Sequence, residues 1–215
     1  MDGYWFGENN GLLTTGMSLR LPSDSAAFNL LAVRVAFKEW AVVVDALGRG
    51  EQIIILRKGG IHEGQGGFKI EHPQFVLFPT LFHQQRESVV SAAQARFDQI
   101  ARTFPPKNRV RLGFFANVVE WRRIDSLATA ERLRGQHIWR DEVIAERFDW
   151  GKDKAVFALA VRVLRLAEAV ELPMRDSYGG CKSWLELEQE VADVADLIKH
   201  LRGNDAPSEQ EQQTV

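Results

Sequence analysis

Apolar and polar positions along the chain change period several times, and each change marks an element. The run WAVVVDALGRGEQIIILR is dense in β-branched residues on both sides of Gly48-Arg49-Gly50, which predicts a hairpin of strands Trp40–Leu47 and Gln52–Arg57. GFKIEH and QFVLFPT, parted by His72-Pro73, predict a second hairpin or bent strand pair, because the proline removes a donor and keeps its predecessor out of helical geometry. Val90, Ala93, Phe97, Ile100, Ala101 and Phe104 then recur at three- and four-residue steps until Pro105-Pro106, the pattern of an amphipathic helix. RVRLGFFANVVEW reads as a strand apolar on both faces near its middle, QHIWRDEVIAERFDW as a short helix ending before Gly151, and KAVFALAVRVLRL as a strand. A last helix is predicted from the seam Leu187, Val191, Val194, Ile198 and Leu201, with Ser183 and Glu186 spaced as a capping box at its start.

The ends of the chain lack such periods. Residues 1–27, rich in Gly, Asn, Ser and Thr, predict a flexible N-terminal arm; residues 28–203 predict one α+β domain; residues 204–215 predict a disordered acidic tail. A hydrophobic content of 45% is enough for a sizeable core, and no stretch approaches the roughly 20 apolar residues of a membrane span. Cys181 is the only cysteine, which leaves no internal disulfide framework and points to a reducing, cytoplasmic location.

Net charge is only −2, but it is unevenly spread. Between Arg102 and Arg140 nine basic residues stand against three acids, and between Glu186 and Glu211 eight acids stand against Lys199 and Arg202. Such segments either pair with each other and with solvent or form an anion-binding surface. The motifs EWRR and HIWR place Trp121 and Trp139 beside Arg122, Arg123 and Arg140, the interleaving that single-stranded nucleic acid surfaces use; six tryptophans can equally all be core residues.

Candidate chemistry concentrates in two stretches. LRKGGIHEGQGGF sets Arg57 and Lys58 before Gly59 and Gly60, where bare backbone can approach a phosphate; the same glycines also serve as turn and bulge residues. The spacing matches neither a Walker loop nor a dinucleotide-binding fingerprint. In YGGCKSW, Tyr178, Lys182 and Trp184 form an aromatic, cation, aromatic group suited to base stacking and phosphate contact, with Trp184 as a hydrophobic lid the plainer account. His62, His72 and His83 have no diagnostic metal spacing, so neither a metal nor another cofactor is expected. Glu39 beside Lys38, and Asp45 with Glu51, do not reproduce the acid and lysine intervals of a metal-dependent nuclease.

Taken in order, KEWAVVVDAL (38–47), LRKGGI (56–61), FVLFPTLFHQ (75–84), FDWG (148–151) and YGGCKSW (178–184) resemble the bacterial family known as domain of unknown function 1802. The family has no established activity. Some members carry the domain beside a restriction-endonuclease-like domain, which implies work on DNA in restriction or defence; any nuclease here would be a separate protein. The resemblance also moves Arg57, Lys58, Gly59, Gly60, Thr80, His83, Gln84, Tyr178, Lys182 and Trp184 toward a site.

The expected architecture is a mixed, strongly twisted sheet or partly closed, PUA-like barrel packed by two or three helices. The leading functional expectation is a nucleic-acid-binding or base-sensing module, with Arg57 and Lys58 on phosphates, His83 and Gln84 as hydrogen-bonding readers and Trp184 as a stacking face. Two alternatives stay open. One is an enzyme on a small nucleotide-like substrate with His83 as acid/base and Cys181 as nucleophile or pocket wall. The other is a scaffold that holds partners through its charged segments.

Overall fold

The structure is a computed structural model that describes residues 33–58, 70, 72–151, 153–180 and 182–191. The strands are β1 (Val35–Trp40), β2 (Ile54–Arg57), β3 (Gln74–Thr80), β4 (Arg109–Ile124), β5 (Val156–Pro173) and β6 (Trp184–Glu186). The helices are α1 (Ala41–Gly48), α2 (Ser91–Thr103), α3 (Leu127–Glu131) and α4 (Asp141–Asp149). The strands form one sheet in the order β2-β5-β4-β3-β1-β6, with β1 and β3 parallel and every other neighbouring pair antiparallel. The mixed, partly closed sheet expected from the sequence is therefore present, as a six-stranded half-barrel.

Curvature comes from the long β4/β5 ribbon. Its register shifts between Leu112 and Phe114 and again between Val118 and Glu120, and each extra residue bends the strand and raises its twist. The first irregularity also changes the phase of burial: Leu112 and Phe115, three residues apart, face the same apolar cluster.

The sheet has a core on each face. Phe37, Phe75 and Leu77 join α1, Phe97 of α2, and Ile144 and Phe148 of α4 on one side. Their neighbours Ala36, Val76 and Phe78 pack with Leu112, Phe115, Tyr178 and Leu185 on the other. Alternation along β1 and β3 thus serves two cores at once, which makes Val35–Phe37 and Phe75–Phe78 read as continuous apolar runs.

Two expectations fail in the described residues. The segment expected as the first strand of a hairpin, Trp40–Leu47, is mostly helix: only Trp40 belongs to β1, Ala41–Gly48 form α1, and β2 pairs with β5 instead. Val42, Val43, Val44, Ala46 and Leu47 are all buried, so a helix covered almost all round shows no helical period, and tertiary packing overrides the β-branched preference. The expected capping box at Ser183 and Glu186 is absent, because residues 184–186 pair antiparallel with β1 as β6. There Trp184 packs against one core and Leu185 lies in the other, and the Ser183 carbonyl accepts the Lys38 amide at 2.9 Å.

The helix over Ser91–Thr103, the short helix before Gly151 and the strands drawn from QFVLFPT, RVRLGFFANVVEW and KAVFALAVRVLRL all appear. The arm 1–27, most of GFKIEH, the last helix beyond Val191 and the tail 204–215 lie outside the described residues.

Gly48, the last residue of α1, sits against the Phe114 ring, and an added Cβ would come within 2.3 Å of it. Gly48→Val is expected to lower unfolding free energy by about 1–3 kcal/mol through overpacking, measured by urea denaturation; unchanged stability would contradict this close approach.

Candidate functional site

In register, β6 pairs with β1 up to Phe37, opposite Trp184, and the Lys38 amide continues the edge by donating to the Ser183 carbonyl. The next carbonyl along that edge, Lys38 O, is taken by Nη2 of Arg57 at the end of β2. The Arg57 guanidinium lies over the Phe37 ring, 4.6 Å from its centroid. A side chain from one margin of the half-barrel thereby reaches across to β1, near the other. Lys58 continues the lacing: its Nζ donates to the carbonyls of Phe148 (2.9 Å), Asp153 and Ala155 (3.0 Å), holding the connection from α4 to β5. Burial pulls its ammonium below the ordinary lysine value, with Asp153 opposing the shift.

Beside this lacing lies a buried polar cluster. Glu39 is 1% exposed; its Oε1 accepts the Trp40 amide at 2.8 Å, and its Oε2 has no hydrogen-bond partner. Thr80, opposite Trp40 in the parallel register, donates its hydroxyl to the Glu39 carbonyl at 3.1 Å. Arg147 comes in from α4. Its guanidinium carbon sits 4.9 Å from the Trp40 ring and 4.8 Å from the Trp139 ring, and these rings meet edge to face at 71°. Nη1 of Arg147 donates to the Leu56 carbonyl at 3.1 Å.

The electrostatics of this cluster are unbalanced. Arg147 is half-buried as a whole, but its guanidinium end is enclosed, and burial pushes its pKa down to about 10; Glu39 works against the shift and Arg57 adds to it. Two guanidiniums therefore face one carboxylate. Three donors or acceptors around it are buried without partners besides Glu39 Oε2, namely Arg57 Nε, Trp139 Nε1 and His137 Nδ1. Unsatisfied buried groups cost free energy, and Gln85 Nε2 and Trp121 Nε1 are buried without partners elsewhere in the fold.

The residues singled out in the sequence are only partly brought together. Arg57 and Thr80 belong to the cluster. His83 and Gln84 are exposed on a single 3₁₀ turn, His83–Arg86, that begins just past β3 and follows the 62% exposed Phe82. Tyr178 is buried edge-on against Phe78, at 5.8 Å, and its hydroxyl accepts the Glu188 amide at 3.2 Å. Trp184 meets Phe37 at 4.7 Å, Phe75 at 5.1 Å and His72 at 5.6 Å, so its ring is committed to the core side of β6. Lys182 is exposed. Gly59, Gly60, His62 and Cys181 lie outside the described residues.

The basic stretch is largely neutralised. Arg111 pairs with Glu171, Arg122 with Glu120, Arg123 with Asp125 and Asp153, Arg134 with Asp141, and Arg140 with Glu142. Trp121 packs near Phe157 and Trp139 is 1% exposed, so neither indole forms an open stacking platform. Among the described residues no three His, Cys, Asp or Glu side chains gather as metal ligands, and no helix is long and apolar enough to cross a membrane. The sequence reading missed Glu39, Trp40 and Arg147 as members of one site. The available signal was Glu39 itself, a carboxylate inside an apolar run, where a polar residue has to be explained.

Two measurements check this geometry. Lys58→Met, which strips one ammonium from three carbonyls, is expected to cost about 1–2 kcal/mol of stability in urea denaturation, and no loss would contradict the lacing. His137 is 7% exposed and burial lowers its pKa from the ordinary 6.5, with Asp141 opposing that shift and Arg147 and Arg134 adding to it. The unfolded chain thus takes up this proton first, and the His137 contribution to stability is lost as pH falls from 6.5 through the lower folded value. Thermal melts from about pH 7.5 to about pH 5 should show a smaller acid-side decline for His137→Gln than for wild type; parallel profiles would contradict a buried neutral imidazole.

Comparison with known proteins gives one family and one set of structures. No curated protein matches the chain. The crystal structure of ASCH from Zymomonas mobilis is similar at 12% identity and a TM-score of 0.42, over 77% of this chain and 93% of that one. A mutant of the same Zymomonas mobilis protein gives 13% identity and a TM-score of 0.41, over 77% of this chain and 96% of that one. The family model described as domain of unknown function (DUF1802) matches residues 36–199, and the chain belongs to that family.

Proposed function

We propose that the protein binds nucleic acid and reads one unpaired base at the cluster around Glu39. The observation that carries this reading is Glu39 Oε2, a buried carboxylate oxygen with no partner, set between two indoles and two guanidiniums. Carboxylates read bases by accepting from their exocyclic amino groups. Arg57 Nε and Trp139 Nε1 are unpartnered donors in the same cluster, the complement of the acceptors that lie beside such an amino group. A site of this depth reaches only a base that has left the stack, so single strands and extruded bases are the substrates. Phe82, exposed and followed by His83 and Gln84, offers a stacking face and hydrogen-bonding groups for a flanking nucleotide.

Lys58 and Trp184 are left out of this reading, since carbonyls and core rings already occupy them. The setting we propose is restriction or defence, as the family resemblance implies.

Because most arginines of the basic stretch are paired, few phosphates are contacted and the salt dependence is shallow. Fluorescence anisotropy with labelled single-stranded DNA, duplex DNA and RNA is expected to show a preference for single strands. The slope of log K against log salt should be about −1.4 to −2.1, the value for two or three phosphates on a single strand. Glu39→Gln should weaken binding about tenfold, roughly 1.4 kcal/mol. Absence of binding to all three probes, or equal binding by Glu39→Gln, would overturn the proposal.

A further inference from the structure

We propose that the corner between Trp40 and Trp139, filled here by the Arg147 guanidinium, is the seat of the base of one unpaired nucleotide, and that Arg147 on leaving it meets that nucleotide's phosphate. The inference rests on the base-reading function above and names how the site is vacated and what it selects.

Three observations support it. The first is shape. A guanidinium is a flat, delocalised cation that covers an indole much as a base does. Arg147 touches both rings at nearly equal distances, 4.9 and 4.8 Å, and so marks a place where one flat group contacts both walls. The second is tethering. Nη1 of Arg147 makes a single hydrogen bond, to the Leu56 carbonyl, and the guanidinium enters no ion pair among the described residues. The cation–π contacts that hold it are of the same order as the base stacking that would replace them. The side chain is half-buried, as is Trp40, and it sits in the last turn of the nine-residue helix α4, so the path outward is short.

The third observation is charge. Arg57 and Arg147 together exceed the single carboxylate of Glu39. A cluster with surplus positive charge is complete with an anion present, and a nucleotide brings one along with its base. The base that fits presents an amino donor toward Glu39 Oε2 and an adjacent acceptor toward Arg57 Nε, as cytosine does with its N4 amino group and N3. Uracil reverses that pair and is disfavoured.

The probes are cytidine, cytidine 5′-monophosphate, uridine and uridine 5′-monophosphate, titrated calorimetrically into the full chain. Wild type is expected to bind cytidine 5′-monophosphate about tenfold tighter than cytidine, and both more tightly than their uridine counterparts. Arg147→Met, which empties the corner of its cation, is expected to bind cytidine more tightly than wild type does and to lose the preference for the monophosphate. An Arg147→Met protein that binds cytidine no better than wild type and keeps the phosphate preference would overturn the inference.

Should that variant fail to fold, the indole N–H resonances of the wild-type protein provide the readout. Cytidine 5′-monophosphate is expected to shift those of Trp40 and Trp139 while leaving Trp121 and Trp150 in place; unmoved Trp40 and Trp139 signals would overturn the inference. Failure of the base-reading function itself looks different, because no nucleic acid would then bind in a way that depends on Glu39.

Discussion

The guanidinium of Arg57 ties β2 to β1 by donating to the Lys38 carbonyl. β6 pairs with β1 through Val35, Ala36 and Phe37, and just beyond that register a side chain from β2 donates to Lys38 O. In the hydrogen-bonded order of the sheet, β2 and β1 are separated by three strands. Only a strongly coiled β4/β5 ribbon, bent at its two irregularities, brings them within reach. Arg57 therefore does the work of a barrel-closing strand pair with one side chain. Lys58, the next residue, extends the same closure to the α4–β5 connection.

Burial of Glu39 follows from that closure. With β2 drawn across, Arg147 of α4 is pressed between Trp40 and Trp139 while bonded to the β2 carbonyl of Leu56. The carboxylate of Glu39 is left with one oxygen engaged and one open. A protein selected for stability alone has a simpler solution here, since apolar residues of similar volume replace buried charges at little cost or with a gain. Two guanidiniums, a carboxylate and an unpaired indole N–H are retained in one place, and base recognition by a carboxylate beside aromatic walls is the use we propose for them.

Much of the sheet was legible in the sequence, because β3, β4 and β5 are long and their composition is unambiguous. Failure came where burial erased the period. Residues 41–47 are covered on nearly every side, so helix and strand predict the same apolar run there, and the β-branched valines tipped the reading the wrong way. Ser183 and Glu186 had the spacing of a helix cap, yet β1 needed an edge partner, and Trp184 and Leu185 together supply a core residue for each face. The site was legible only in fragments. Arg57 and Thr80 stood out through family motifs, whereas Glu39, Trp139 and Arg147 come from three distant segments joined by a closure that no local pattern announces. The tryptophans of EWRR and HIWR had the right composition for a surface, but the core claimed both indoles.

The central claim is that Glu39 and Arg147 act as one charged unit within this closure. A double-mutant cycle tests it most directly, with urea unfolding of wild type, Glu39→Gln, Arg147→Met and the double variant. The account predicts a coupling free energy of about 0.5–3 kcal/mol, because each charge lies in the other's field within the same enclosed cluster. Effects of the two substitutions that add to within about 0.5 kcal/mol would contradict it, and would reduce the cluster to side chains that are neighbours without being linked.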